Sequence, residues 1–161
     1  MIFVTTGTQE PFDRLVAFID QWSQTIDEEL VVQATVKAYQ PKYIKLTPFI
    51  EPELFERYFN TARLIIGHAG MGTIISSLVA SKVLIVIPRS AAKGEHRNEH
   101  QMATAKRMNE LNYVRVAFNI EELRVLLEKL LDQETIQPLC KLRPFADETL
   151  ISSLKRDLNL N

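Results

Sequence analysis

Three short stretches hold residue types that do chemistry. The first is Gly67-His68-Ala69-Gly70-Met71-Gly72-Thr73, which follows the apolar run Leu64-Ile65-Ile66 and leads directly into a helix-like pattern. A glycine turn between a strand and a helix lets the backbone approach a ligand, and the free N–H groups of the new helix favour an anion, most often a phosphate. The second is Glu95-His96-Arg97-Asn98-Glu99-His100-Gln101, the densest polar run of the chain. Such side chains donate to and accept from sugar hydroxyls and phosphates, and Arg89, Lys93 and Arg97 add positive charge suited to a diphosphate. The third, Thr6-Gly7-Thr8, is a weaker copy of the first.

Other chemistries fit poorly. In a dinucleotide fingerprint beginning at Gly70 and Gly72 the third glycine is replaced by Ile75, and the turn follows a fourth strand rather than a first, which argues against NAD. There is no glycine-lysine loop of the P-loop kind. His96 and His100 stand four apart, as on a shared helix face, but Arg97 follows His96 and His68 is the only other histidine, so few metal ligands remain. Neither a Ser-His-Asp or Cys-His arrangement nor a paired-carboxylate site emerges from the spacing.

The elements that must position these residues alternate. Strand-like runs at 1–6, 30–35, 43–49, 63–68, 83–88 and 113–118 are interleaved with helical patterns from Pro11 to about Ile26, Glu51 to about Thr61, Thr73 to about Ser81, Glu99 to Leu111 and Ile120 to Leu131. In the first helix Phe12, Leu15, Val16, Ile19, Trp22 and Ile26 form a core stripe; in the fourth, Met102, Ala103, Ala105, Met108 and Leu111 are the buried candidates. Gln133 to Pro144 breaks the pattern, and a last amphipathic helix is expected at Asp147–Leu158, docked on its own sheet. The alternation predicts a doubly wound parallel α/β sheet, Rossmann-like, with the strand ends at Gly7, Phe49, Gly67 and Pro88 gathered on one rim.

Composition agrees with a single domain over residues 1–161. The chain of 161 residues is 46% hydrophobic and 24% charged with a formal net charge of −1, so whole-chain charge gives nucleic acid no electrostatic support. No apolar run approaches the length of a membrane span, and Met1-Ile2-Phe3-Val4 does not resemble a signal peptide. Cys140 is the lone cysteine, consistent with a cytoplasmic location and a packing role.

Three motifs, taken together and in order, resemble glycosyltransferase family 28. They are Phe3-Val4-Thr5-Thr6-Gly7-Thr8 leading into Phe12-Asp13-Arg14-Leu15, then Gly67 to Thr73, then Pro88-Arg89 followed by Gly94-Glu95-His96 and Asn98-Glu99-His100-Gln101. The likeness covers about residues 1–132 and leaves 133–161 as a tail. It is to the single-domain members, which are similar to the donor-binding carboxyl-terminal half of the bacterial transferase that adds GlcNAc to lipid I. Within them it resembles the PssE-type exopolysaccharide subunits and the eukaryotic cytosolic subunit of the dolichol-linked UDP-GlcNAc transferase.

The resemblance implies the donor-binding half of a GT-B enzyme. Gly70, Met71, Gly72 and Thr73 would hold a diphosphate, with Gly7, Thr8 and His68 beside them; Phe49-Ile50 would read the uracil; His100 and Gln101 would contact the donor sugar, with Glu95 nearby. Where many relatives carry a glutamate for the ribose hydroxyls, this chain has Ser76. Transfer would be inverting and need no metal or other cofactor. A membrane-anchored partner subunit would supply the acceptor-binding half, the general base and the polyprenyl-linked acceptor, and would hold this chain at the inner face of the membrane. Exopolysaccharide or capsule synthesis is the implied setting. Two other readings stay open: a non-catalytic companion that stimulates or stabilises a partner transferase, and a stand-alone nucleotide-dependent α/β enzyme.

Overall fold

A computed structural model of the chain describes residues 1–133 and 135–142. Six parallel strands, β1 (Ile2–Thr5), β2 (Leu30–Gln33), β3 (Leu46–Thr47), β4 (Leu64–Gly67), β5 (Leu84–Val86) and β6 (Arg115–Val116), form one sheet in the order β3-β2-β1-β4-β5-β6. The helices are α1 (Asp13–Trp22), α2 (Pro52–Thr61), α3 (Met71–Val79), α4 (His100–Glu110) and α5 (Ile120–Leu131). The order reverses at β1, next to β4, which is where open α/β sheets place their ligands.

Alternation along the central strands builds two cores. Ile2, Val4, Leu64, Ile66, Ile85 and Ile87 face one side, under α1 and α5, with Leu15, Ile19, Trp22, Leu123 and Leu127. Phe3, Ile65, Leu84 and Val86 face the other, with Phe59, Ile74, Leu78 and Ala105 from α2, α3 and α4. Strands buried on both faces account for the nearly unbroken apolar runs. Half-buried Cys140 packs against the second core, in keeping with its expected role.

The expected boundaries shift for local reasons. The third strand shrinks to Leu46–Thr47 and the sixth to Arg115–Val116, because each is an edge strand paired on one side only. The first helix stops at Trp22 and passes into a tight 3-10 turn (Ser23–Thr25), where the Ser23 and Thr25 hydroxyls donate to the Asp20 and Trp22 carbonyls at 2.7 and 2.8 Å. The third helix begins at Met71, two positions before the expected Thr73, because extended Gly70 serves as its N-cap. In α4, Ala105 is buried and Met102 and Met108 half-buried, but Ala103 and Leu111 are exposed. The last expected helix, Asp147–Leu158, lies outside the described residues.

No helix links β2 to β3. The connection is held instead by two carboxylates of α1. Asp13 accepts from the N–H groups of Lys37, Ala38 and Tyr39 at 2.7–2.8 Å. Asp20, with no exposed surface, accepts from the N–H groups of Lys42, Tyr43 and Ile44 and from the Tyr39 hydroxyl at 2.8–2.9 Å. An irregular crossover without its own ladder thus satisfies its backbone donors on side chains.

Candidate functional site

Parallel register sets the ends of β1, β4 and β5 side by side: Thr5 pairs with Gly67, and Gly67 with Val86. Above them lies a cleft of about 250 Å³, walled on one side by the loop Thr6–Glu10 and on the other by His68, Arg89, His96 and Gln101. Two buried polar atoms beside it, Thr6 Oγ1 and His68 Nδ1, have no hydrogen-bond partner among the described residues. Orphaned buried polar atoms at a cleft suit a polar ligand.

His68 is packed between two glycine backbones. Gly7, at φ +74°, would bring a Cβ within 3.4 Å of His68 Cε1. A Cβ on Gly70 would overlap His68 Nε2 and stand 2.9 Å from Cε1, closer than packing permits. Burial, and then the Arg89 charge, push the His68 pKa down from 6.5 to about 4; the Thr5 backbone opposes the shift and His96 adds to it. The imidazole is therefore neutral at pH 7 and can donate or accept one hydrogen bond from each nitrogen without repelling a nearby cation.

Beside it α3 opens. Gly70 caps the helix with no side-chain hydrogen bond, and the first intrahelical bond is Ile74 N–H to the Gly70 carbonyl at 3.2 Å. The N–H groups of Met71, Gly72 and Thr73 are thus the uncapped donors of the first turn, at the positive end of the helix dipole. Met71 and Gly72 are exposed and Thr73 is half-buried.

The two cleft loops are laced together by arginines. Arg89, 2% exposed, donates from Nη2 to the carbonyls of Thr6 (2.8 Å) and Glu10 (2.5 Å), and from Nε to that of Pro11 (3.4 Å). Arg14 forms a fork with Glu95, Nε to Oε1 at 2.6 Å and Nη2 to Oε2 at 2.9 Å, and also reaches the Pro88 carbonyl. Both guanidinium groups lie over the Phe12 ring, 4.9 Å (Arg89) and 5.3 Å (Arg14) from its centroid. Burial lowers the Arg89 pKa to about 10 against the pull of the Glu10 and Glu95 charges, so it stays cationic at pH 7. For Glu95, burial raises the pKa, but the Arg14 hydrogen bonds and the Ser90 N–H outweigh it, and the carboxyl sits below its ordinary value.

Of the residues singled out from sequence, Gly7, Thr8, His68 and Gln101 line the cleft, and Gly70, Met71, Gly72 and Thr73 form the adjoining helix start. Gln101 Oε1 accepts from the Arg89 N–H at 3.1 Å, which leaves its amide N–H groups as donors. His100 is exposed at the first position of α4, whereas His96 precedes the helix with Nδ1 3.1 Å from the Asn98 carbonyl, so the pair does not share a helix face. Glu95 is engaged by Arg14, and Arg89 spends its guanidinium on carbonyls rather than offering it to a diphosphate. Phe49 is 58% exposed after β3 and Ile50 is buried. Ser76 lies apart from the cleft, in a groove with Phe55, Phe59, Asn60, Val79 and Ala80 of α2 and α3.

Gln9 and Glu10 are cleft residues that the sequence did not single out, and Thr6 and His96 were named only as members of their motifs. For Gln9 and Glu10 the available signal was position, since they follow the glycine of the first strand-to-helix turn.

The chain resembles known proteins along most of its described length. Residues 1–141 match the glycosyltransferase family 28 C-terminal domain. A relative from Candida albicans, the UDP-N-acetylglucosamine transferase subunit ALG13, is 31% identical over 88 residues, which is 55% of this chain and 28% of that protein. The chain thus spans little more than a quarter of that relative. An NMR structure of ALG13 superposes with a TM-score of 0.56 at 20% identity, covering 95% of this chain and 93% of that one. Acinetobacter baumannii MurG gives 0.58 at 20% identity (81% and 40% covered), and the Streptomyces nogalater glycosyltransferase SnogD 0.53 at 20% (80% and 35%). These structures share the fold. With the family domain matched from the first strand to past the fifth helix, this chain belongs to the glycosyltransferase family 28 C-terminal domain family.

Proposed function

We propose that this chain is the UDP-sugar donor-binding subunit of a two-component, inverting glycosyltransferase that needs no metal. The observation that carries the reading is the juxtaposition of neutral, buried His68 with the uncapped start of α3 at Gly70, beside a cleft lined by Gln101. The diphosphate would lie on the N–H groups of Met71, Gly72 and Thr73, and the helix dipole would stabilise the charge that grows on it as the sugar leaves. The Phe49–Ile50 loop would hold the uracil, and His100 and the free Gln101 amide the sugar. An acceptor hydroxyl would attack the anomeric carbon as its bond to UDP breaks, its proton passing to a base on a membrane-anchored partner. Glu95, occupied by Arg14, is in no position to be that base, which favours a base from outside this chain. A polyprenyl-linked acceptor in exopolysaccharide or capsule synthesis, at the cytoplasmic face of the membrane, completes the reading. It agrees with the finding that no helix among the described residues is long and apolar enough to cross a membrane.

The test is calorimetry with UDP and UDP-sugars, with and without the co-expressed partner. The expected result is measurable UDP binding by the isolated chain and sugar transfer only with the partner. Absence of UDP binding in both states would leave the second reading, a non-catalytic companion of a partner transferase. That reading is favoured by Ser76, which offers no carboxylate for ribose and stands in the α2–α3 groove.

A further inference from the structure

Arg89 follows the end of β5 at the cleft, and its charge invites assignment to the diphosphate. The hydrogen bonds argue otherwise. Three of its donors reach three different carbonyls of one loop, those of Thr6, Glu10 and Pro11, and its own backbone N–H is held by Gln101. The guanidinium lies over the ring of Phe12, the residue at which that loop becomes α1. The loop has few other ties: Thr6 N–H bonds to the Gln33 carbonyl at its start and Phe12 N–H to the Thr35 carbonyl at its end, with the left-handed Gly7 between them.

We propose that Arg89 is a positioning residue: it acts as a strut that pins the loop Thr6–Pro11 into a preformed wall of the cleft, and it touches no substrate. Converging carbonyls would repel one another and any incoming phosphate; a planar, multiply donating cation neutralises them and fixes their spacing at once. Because the same residue's N–H orients Gln101, one side chain and its own peptide set both walls of the cleft. A lysine keeps the charge but presents a point cation that does not span three acceptors in a plane.

The consequence for donor affinity rests on the UDP-sugar reading; the consequence for the loop does not. Amide hydrogen exchange by NMR and UDP calorimetry are measured on the wild type, Arg89→Lys and Arg89→Ala. In Arg89→Lys the Thr6 and Phe12 amides, whose bonds to the Gln33 and Thr35 carbonyls close the loop, should exchange about tenfold faster or more, those of Ile65 and Ile85 should stay protected, and UDP binding should weaken about tenfold. Millimolar guanidinium should restore loop protection and UDP affinity to Arg89→Ala. Wild-type loop exchange in Arg89→Lys overturns the proposal, as does weakened UDP binding with an unchanged loop, which would make Arg89 a direct ligand. Should the variants fail to fold, the side-chain NMR of the wild type decides: slowly exchanging Arg89 Nε–H and Nη–H signals are expected, and a freely averaged guanidinium overturns it. If the wild type binds no UDP, the donor-site reading falls while the exchange measurements still decide the strut.

Discussion

The His68 ring occupies the space that a side chain on Gly70 would need. A Cβ there would overlap Nε2 and lie 2.9 Å from Cε1, and a Cβ on Gly7 would touch the same Cε1 at 3.4 Å. The histidine and the helix cap are thus fitted to each other, and the imidazole stands against the start of α3.

Gly70→Ala forces the two apart. Overpacking of this kind costs about 1–3 kcal/mol, and the displaced ring no longer flanks the helix start. The expected outcome is a lowered melting temperature together with a loss of UDP affinity of about tenfold or more. Calorimetry checks the second and thermal unfolding the first. Gly72→Ala, where a Cβ meets nothing within 4 Å inside the helix, should keep or slightly raise stability.

His68 makes stability depend on pH in the mildly acidic range. Its folded pKa, about 4, lies below the ordinary 6.5, so the unfolded chain binds the extra proton first. Stability from this group is full above pH 6.5 and is lost as pH falls towards 4, an effect of about 3 kcal/mol at most. Urea titrations at pH 7.5, 6 and 5 should show the slope, and His68→Gln should flatten it. An imidazole resonance that titrates near 6.5 in the folded protein would contradict the burial argument.

The acidic limit belongs to other groups. Burial raises the pKa values of Asp13 and Asp20, but their backbone hydrogen bonds outweigh it and leave both below the ordinary 3.8. Their contribution is complete above pH 3.8 and is lost as pH falls through the lower folded values. Asp20→Asn replaces two acceptor oxygens by one and sets an NH₂ against N–H donors, at a cost of about 2 kcal/mol or more. Rapid proteolysis between Val36 and Lys45 in this variant would report the released crossover.

Glu95 and Arg14 should behave as one unit. Glu95→Gln and Arg14→Met each break the fork, so the double variant should lose little more stability than either single one, a coupling of about 1 kcal/mol or more. Additive losses would show that the two side chains are not coupled.

Ser76→Glu tests where the ribose lies. If the ribose lies over this turn of α3, a carboxylate that accepts its hydroxyls should tighten UDP binding by about tenfold, from about 1.5 kcal/mol for one charged hydrogen bond. Unchanged affinity, read by calorimetry, would place the ribose elsewhere.

Much of this protein is written in periodicity. Apolar runs of β-branched residues separated by helical stripes specify a parallel sheet covered on both faces, because only burial on both sides gives such runs a use. Ile120–Leu131 matches its helix residue for residue, since Asn119 caps it and its leucines keep a strict stripe. Glycine between strand and helix likewise identifies Gly7 and Gly67–Thr73 as rim positions from sequence alone. The edges were not legible: strands β3 and β6 are limited by what lies beside them, which no local pattern states. Nor was the use of each polar side chain. Arg89 and Glu95 belong to one loop without periodicity in the sequence, yet contacts with residues about 80 positions away turn them into a strut and half of a fork. A residue's type determines what hydrogen bonds it can make; the long-range approach of α1, the β1 loop and the β5 loop alone decided which of them it makes.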